Sequence, residues 1–324
     1  MISRRLLRIK SLLILYAFNR KQGDDLEAAE KELMLSIKKS YDLYHLLLLL
    51  IIEIVSVAEE KIGIAKQKKI PTHEDINPNT KLVDNKVVLQ LSDNRQLKNY
   101  LHSAHLSWHN YPGIPRRYYN ILKDSDMYKE YMNSGENNYA EDKKFITRLL
   151  KLIISNADDL EWALEEQSVY WNDDLDFVSV MTDKTIRQFK ETTGTGHKLM
   201  PLYRSDDDEI FVKTLLRKTL IKTEELTELI DRNTTNWEIE RVALMDTLVM
   251  QLAIAEIIEF PEVPVKVSLN EYIEIAKFYC TSKSSTFVNG ILDKIVKEMR
   301  EKGIFRKTGR GLVGEPGFVD DKKS

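Results

Sequence analysis

Pro264-Val265-Lys266-Val267-Ser268-Leu269-Asn270-Glu271 reads as the entrance of a helix. Ser268 followed three residues later by Glu271 has the capping-box pattern, in which two orphan backbone donors are satisfied reciprocally. Leu269, Tyr272, Ile273, Ala276 and Cys280 then fall on one face, with Glu271, Glu274 and Lys277 elsewhere. A short polar loop, Thr281 to Ser285, leads into Thr286-Phe287-Val288-Asn289-Gly290-Ile291-Leu292-Asp293-Lys294. In this second helix Val288, Ile291, Leu292, Ile295, Val296 and Met299 form the buried stripe. Phe287 falls beside the stripe in the first turn, where an aromatic ring is free to face solvent.

The same period of 3.6 dominates the rest of the chain, and strict alternation is scarce, so the fold class is all-α. A first helix is expected from Ser3 as N-cap to beyond Phe18, and a second, strongly apolar, from Tyr41 to Ile64. Residues 66–142 carry Pro71, Pro78, Pro112 and Pro115 with many Asn and Asp, and are expected to be short helices and loops. Amphipathic helices resume near Asp142, pause between Glu191 and Asp208, and continue to Gly303; from Lys307 onward the composition predicts disorder. Phe145, Leu149, Leu150, Leu160 and Trp171 recur 66 residues later as Phe211, Leu215, Leu216, Leu226 and Trp237, with Asp158-Asp159 matched by Glu224-Glu225. A duplicated helix pair and the small alphabet of apolar helices account for this equally.

At 324 residues the chain is long enough for one large or two modest domains. A net charge of -3 gives no global attraction to nucleic acid, so any basic patch is local. The single Cys280 excludes a disulfide framework and a cysteine zinc site, and fits a reducing cytoplasm. Arg4, Arg5, Arg8 and Lys10 before the apolar run Ser11 to Phe18 imitate a signal peptide, but Asn19-Arg20-Lys21-Gln22 stands where a small-residue cleavage site belongs. The run Leu46 to Val55 is short for a bilayer and is interrupted by Glu53, so no membrane is expected.

VPVKVSLNEYIEIAK (263–277), nine residues, then FVNGILDKI (287–295) is similar to the C-terminal signature of the NusB family. WEIERVALMDTLVMQLAIAEI (237–257) resembles that family's central buried helix, DDDEIFVKTLL (206–216) the helix before it, and RRLLRIKSLLILYAF (4–18) its arginine-rich first helix. The resemblance covers residues 3–20 and 206–302. It implies two small helical bundles: residues 1–62 and 206–305 in the family fold, 63–205 as a mainly helical insertion, and 306–324 as a disordered tail. It also implies a non-enzymatic transcription antitermination factor of the cytoplasm. Such a factor needs no cofactor. It binds boxA-type single-stranded RNA together with the ribosomal small-subunit protein NusE, and joins the antitermination complex on RNA polymerase. Family members are commonly less than half this length, and the loop before Phe287 carries Lys283 where an acidic residue is frequent.

Arg4, Arg5 and Arg8 share one flank of the first helix, and guanidinium matches phosphate geometry and stacks on bases. Unstacked bases need aromatic platforms, for which Tyr16 and Phe287 are the candidates, although Tyr16 also continues the Leu6, Ile9, Leu13 stripe. Lys283 and Asn289 complete the candidate RNA-binding set, with Asn289 equally suited to bonding within its helix, and Asp246 is the candidate for partner docking. No catalytic or metal residues are expected. His102, His105 and His109 have helical spacing but no Cys or carboxylate pair to complete a metal site. TTGTGHK (192–198) lacks the Gly-Lys-Ser/Thr ending of a phosphate loop, and WNDDLD (171–176) lacks a His or Lys partner for acid–base work. The insertion, acidic at Asp158, Asp159, Glu161, Glu165, Glu166, Asp173 and Asp174, is expected to repel phosphates and to bind protein, so that replacing it with a short linker leaves RNA affinity within about tenfold. The rival function is a helical protein-interaction scaffold without RNA binding.

Overall fold

The computed structural model describes residues 2–23, 25–234 and 243–315, which hold fifteen α-helices, a few 3-10 turns and no strand. Helix α1 spans Arg4–Arg20, with Ser3 as the expected N-cap accepting a hydrogen bond from the Leu6 amide. Helix α2 spans Leu26–Lys66, beginning well before the expected Tyr41. The short helices that the proline-rich stretch predicts are α3 (His73–Ile76), α4 (Lys86–Ser92), α5 (Arg95–Ser103), α6 (Gly113–Asp124) and α7 (Asp126–Asn133). Longer ones follow: α8 (Tyr139–Ile154), α9 (Asp158–Gln167), α10 (Leu175–Gln188), α11 (Asp206–Ile221), α12 (Thr223–Asn233), α13 (Leu244–Glu259), α14 (Val265–Tyr279) and α15 (Ser284–Glu301).

The chain divides into two compact units, one of Lys38–Leu202 and one of Ile2–Ile37 with the chain from Tyr203 onward. The first unit is thus contiguous and larger than the 63–205 expected for an insertion. Its extra residues are the apolar part of α2: Leu43, Leu46, Leu47, Leu50, Ile51 and Ile54 are buried in it. Trp108 and Trp171, both buried, donate their indole N–H groups to the carbonyls of Leu46 and Lys39. Excising only 63–205 would strip these leucines of their partners. Helix α2 has the length and composition to cross a bilayer, yet 78 % of its apolar window is covered by the protein's own residues. Glu53, inside the ten-residue apolar run, is half-buried, and burial raises its carboxyl pKa.

In the second unit α13 is buried all round: every residue from Leu248 to Ile257 is inside, including Gln251 and Glu256. Helices α1, α11, α12, α14 and α15 all pack on it, as a helix apolar on every side demands. The disorder expected for 306–324 does not hold for its first ten residues. Lys307 is buried and donates to the carbonyls of Ile257 and Phe260, capping the end of α13, and the Thr308 amide donates to the Pro261 carbonyl. A Cβ on Gly311 would stand 1.9 Å from the Pro261 oxygen, so only glycine fits there. Arg300 closes the segment with a two-bond pair to Glu315.

The residues of the 66-residue recurrence, Phe145, Leu149, Leu150 and Leu160, and Phe211, Leu215, Leu216 and Leu226, are all buried in their own units. The acidic pairs Asp158-Asp159 and Glu224-Glu225 stand in the first turns of α9 and α12, where the helix dipole favours them. Trp237 lies outside the described residues.

Candidate nucleic-acid interface

The sequence of α1 places an arginine at each of three angular positions, and the fold uses them differently. Arg8 points inward, with 3 % of its surface exposed, and forms a two-bond pair with the fully buried Glu256 at 2.7 Å on each arm. Ser268 Oγ and Tyr272 Oη donate to the same carboxylate at 2.8 and 3.0 Å, so Glu256 accepts four hydrogen bonds. Burial disfavours the charged guanidinium, but the bonds and charge of Glu256 outweigh it, and the Arg8 pKa is raised. Burial, then the Glu256 charge, raises Tyr272 well above the usual phenol range. The expected phosphate contact at Arg8 is therefore corrected: it is an interior ion pair joining α1 to α13.

The expected capping box is corrected with it. Helix α14 starts at Val265, with Pro264 at its N-cap and no side-chain cap. Ser268 serves Glu256, and Glu271 takes both arms of Arg5 at 2.8 Å. The Arg5 bond holds the Glu271 carboxyl below its usual range, and reciprocally raises Arg5. Arg4 donates to Asp208 of α11 at 3.0 Å with its guanidinium 4.8 Å from the Phe211 ring centre.

Of the expected RNA contacts on α1, those open to solvent are a half-exposed pair of guanidiniums, 40 % for Arg4 and 49 % for Arg5, and Tyr16, 37 % exposed. Tyr16 does not continue the core stripe, which runs through Leu7, Ser11, Leu12 and Leu15. Eleven residues separate Arg5 from Tyr16, which returns the helix to nearly the same angle about 16 Å further along. Arg5 and Tyr16 thus share one exposed line.

The second group of candidates sits at the start of α15. Lys283 is its exposed N-cap residue, Phe287 is half-buried in its first turn, and Asn289 places its amide 3.5 Å from Asp293. Asp246 is not a docking residue. It is 6 % exposed and accepts from Ser284 Oγ at 2.9 Å, linking α13 to α15. Burial and the Asp246 carboxylate together push the Cys280 thiol far up.

Other motifs resolve into structure. Helix α5 ends at Ser103 and His105 has φ 52°, so His102, His105 and His109 do not share a helix. No group of three metal-ligating side chains occurs among the described residues. In the 171–176 stretch Asp174 is buried and accepts from Ser40 Oγ at 2.6 Å, leaving Asp173 and Asp176 exposed. Glu256, Asp208, Phe211 and Tyr272 are the residues that sequence reasoning missed. The available signal was Glu256 itself, a lone charge within LAIAEI that calls for a buried cation.

The NusB family model matches residues 175–297, opening at the first residue of α10 and so within the stretch 63–205. The transcription antitermination protein NusB of Salinibacter ruber is 40 % identical over 137 residues, covering 40 % of this chain and 86 % of that protein. That of Chloroherpeton thalassium is 44 % identical over 106 residues, 33 % of this chain and 50 % of that protein. That of Natranaerobius thermophilus is 34 % identical over 91 residues, 28 % of this chain and 66 % of that protein. No solved structure matches. With most of the Salinibacter ruber protein matched at this identity, and the described helices all α as the signature implied, the chain belongs to the NusB family.

Proposed function

We propose that the protein is a transcription antitermination factor that binds boxA-type single-stranded RNA together with the ribosomal protein NusE and joins the antitermination complex on RNA polymerase. The observation that carries this reading is the kinship with curated antitermination proteins, supported by the exposed line of Arg5 and Tyr16 on α1. Arg5 holds phosphate by exchanging its part-exposed partner Glu271, at little cost because such surface pairs are worth about 0–1 kcal/mol, whereas Arg4 stays on the buried Asp208 and turns only its exposed edge to phosphate. Tyr16 and Phe287 offer rings to unstacked bases, and Lys283 and Asn289 flank Phe287. The test is a titration with boxA-like and scrambled single strands, with and without NusE. Equal, weak binding of both strands in either condition would favour the protein-interaction scaffold.

Two variants resolve the site. Arg4→Ala with Arg5→Ala should weaken boxA binding and flatten the slope of log affinity against log salt by about 0.7 per contact, so roughly 1.4 in all. A salt slope unchanged in the folded variant removes both arginines from the interface. Phe287→Ala should cost about 1–3 kcal/mol of RNA affinity. Its loss of stability should stay below the ~3–5 kcal/mol of a fully buried phenylalanine. A melting-temperature drop of the full size with RNA affinity intact would mark the ring as core.

A further inference from the structure

The acidic character expected of the first unit describes only part of its surface. Acids gather on α9, where Asp158, Glu161, Glu165 and Glu166 are exposed. Helix α8 carries the opposite charge. Lys144, Arg148 and Lys151 repeat at i, i+4 and i+7 on one exposed stripe of it, with Lys143 and Thr147 alongside. Together with Arg187 of α10 these side chains line an open groove of about 540 Å³. Five cations around one groove run against a chain whose net charge is -3.

Acids near this groove pair with two of its cations, Asp183 with Arg187 at 2.6 Å and Glu130 with Arg148 at 3.1 Å, while Glu141 pairs with Lys81 at 3.1 Å; Asp183 Oδ1 is left without a hydrogen-bond partner among the described residues. Lys143 donates to the carbonyls of Arg187 and Phe189 where α10 ends. Lys144 and Lys151 make no ion pair at contact distance among the described residues, although the charge of Lys144 is felt at Glu141. The seven helical steps from one to the other span about 10 Å, the rise of roughly three phosphates in a stacked strand. Beyond Lys151 the groove becomes more apolar: Leu150, Ile154 and the half-exposed Val180, together with Ser155, Ser179 and Asp183, line a second hollow of about 350 Å³ that shares Lys151 with the first.

We propose that the α8–α10 groove is a second RNA-binding surface, holding the phosphate backbone of single-stranded RNA that continues beyond the boxA-type element. A small free anion would call for an enclosed pocket with converging donors. A linear run of cations leading onto apolar side chains suits a polymer with a charged backbone and apolar base faces. The groove's role as an extension rests on the RNA-binding function proposed above, and the experiment separates the two.

Full-length protein is titrated with three probes: a short boxA strand, the same strand with a long uridine tail, and a uridine strand alone, alongside poly-glutamate as an acidic-peptide competitor. The tailed strand should bind tighter than the short one, by about tenfold at low salt, with a salt slope steeper by about 0.7 for each added contact. Lys144→Glu with Lys151→Glu should abolish that increment and leave short-strand affinity unchanged. Both positions are solvent-exposed, so folding is checked simply by an unaltered melting temperature. A tail that adds nothing, or an increment that survives the double reversal, overturns the groove while the boxA function stands. Uridine binding that depends on Lys144 and Lys151 without short-strand binding supports the groove and overturns the boxA reading. Absence of binding to every RNA overturns both. Displacement of the tail by poly-glutamate at equal charge concentration assigns the groove to an acidic protein instead.

Discussion

Arg8→Ala is expected to destabilise the protein by about 3–5 kcal/mol, the cost of leaving a buried carboxylate without its counter-charge. Glu256 would keep two donors, Ser268 and Tyr272, but neither carries charge, and Lys307, a remaining cation that feels Glu256, is committed to the carbonyls of Ile257 and Phe260. Arg5→Ala, by contrast, removes an exposed pair and should cost about 1 kcal/mol or less. Replacing both interior partners, Arg8→Met with Glu256→Leu, should recover part of the loss, because two apolar side chains need no desolvation of charge. Urea unfolding of the three variants measures this directly. An Arg8→Ala protein within about 1 kcal/mol of the parent would falsify the interior role. The same comparison guards the RNA assay, since binding lost through Arg8 would track unfolding rather than a missing phosphate contact.

The second large effect is a dependence of stability on acid. His45, on α2, is fully buried with Nδ1 2.8 Å from the Tyr41 carbonyl, which sets Nδ1 as the protonated nitrogen. Nε2 has no hydrogen-bond partner. The ring stacks on Tyr100 at 3.8 Å and meets Tyr41 and Tyr44 edge-on; the Tyr100 hydroxyl donates to Asp42, which also pairs with Lys39. Burial lowers the imidazole to about 4, against 6.5 in the unfolded chain. Between those values the unfolded chain holds a proton that the folded one lacks, so unfolding takes it up and stability rises with pH. The stabilisation is complete above about pH 6.5 and is lost as pH falls toward 4, roughly 3 kcal/mol in all. Burial raises Glu53 and opposes this slope, whereas the carboxylates of Glu141 and Glu271, lowered by their partners, add to it at the acid end. Melting temperatures from pH 4 to 7 should therefore fall less steeply for His45→Leu than for the parent. Parallel curves would show that His45 takes its proton in the folded state without penalty.

The helices were legible because burial imposes a period. Ser3 capping α1, the stripe of α15 and the central apolar helix all follow from side-chain spacing alone. The second helix was placed too late because Glu, Lys and Ser residues dilute 26–40, where the buried apolar face is only the sparse set Ala29, Leu33 and Ile37 at i, i+4 and i+8. At the site, sequence gave residue types but not directions. Arg5 and Arg8 stand three apart, yet one meets Glu271 near the surface and the other Glu256 in the interior, a choice made by partners about 250 residues away. Ser268 and Glu271 have capping-box spacing, and the chain nonetheless starts its helix three residues earlier because both side chains are claimed by other helices. The basic stripe of α8 was legible as KKFITRLLK (143–151), four cations without an acid, and was passed over because the acids from Asp158 to Asp174 set the expected character of the whole stretch.

The two units also differ in when they can be completed. The first is one continuous stretch, Lys38–Leu202, so all its partners have been synthesised before the second unit's C-terminal helices exist. The second must wait: 248 positions separate Arg8 from Glu256, which at typical translation rates is about 10–50 s. During that interval α1 carries its arginine and its leucine face into the cytosol or a chaperone without their partner. Unit one is then expected to fold on the ribosome, and the second unit to close late, after Lys307 has emerged to cap α13.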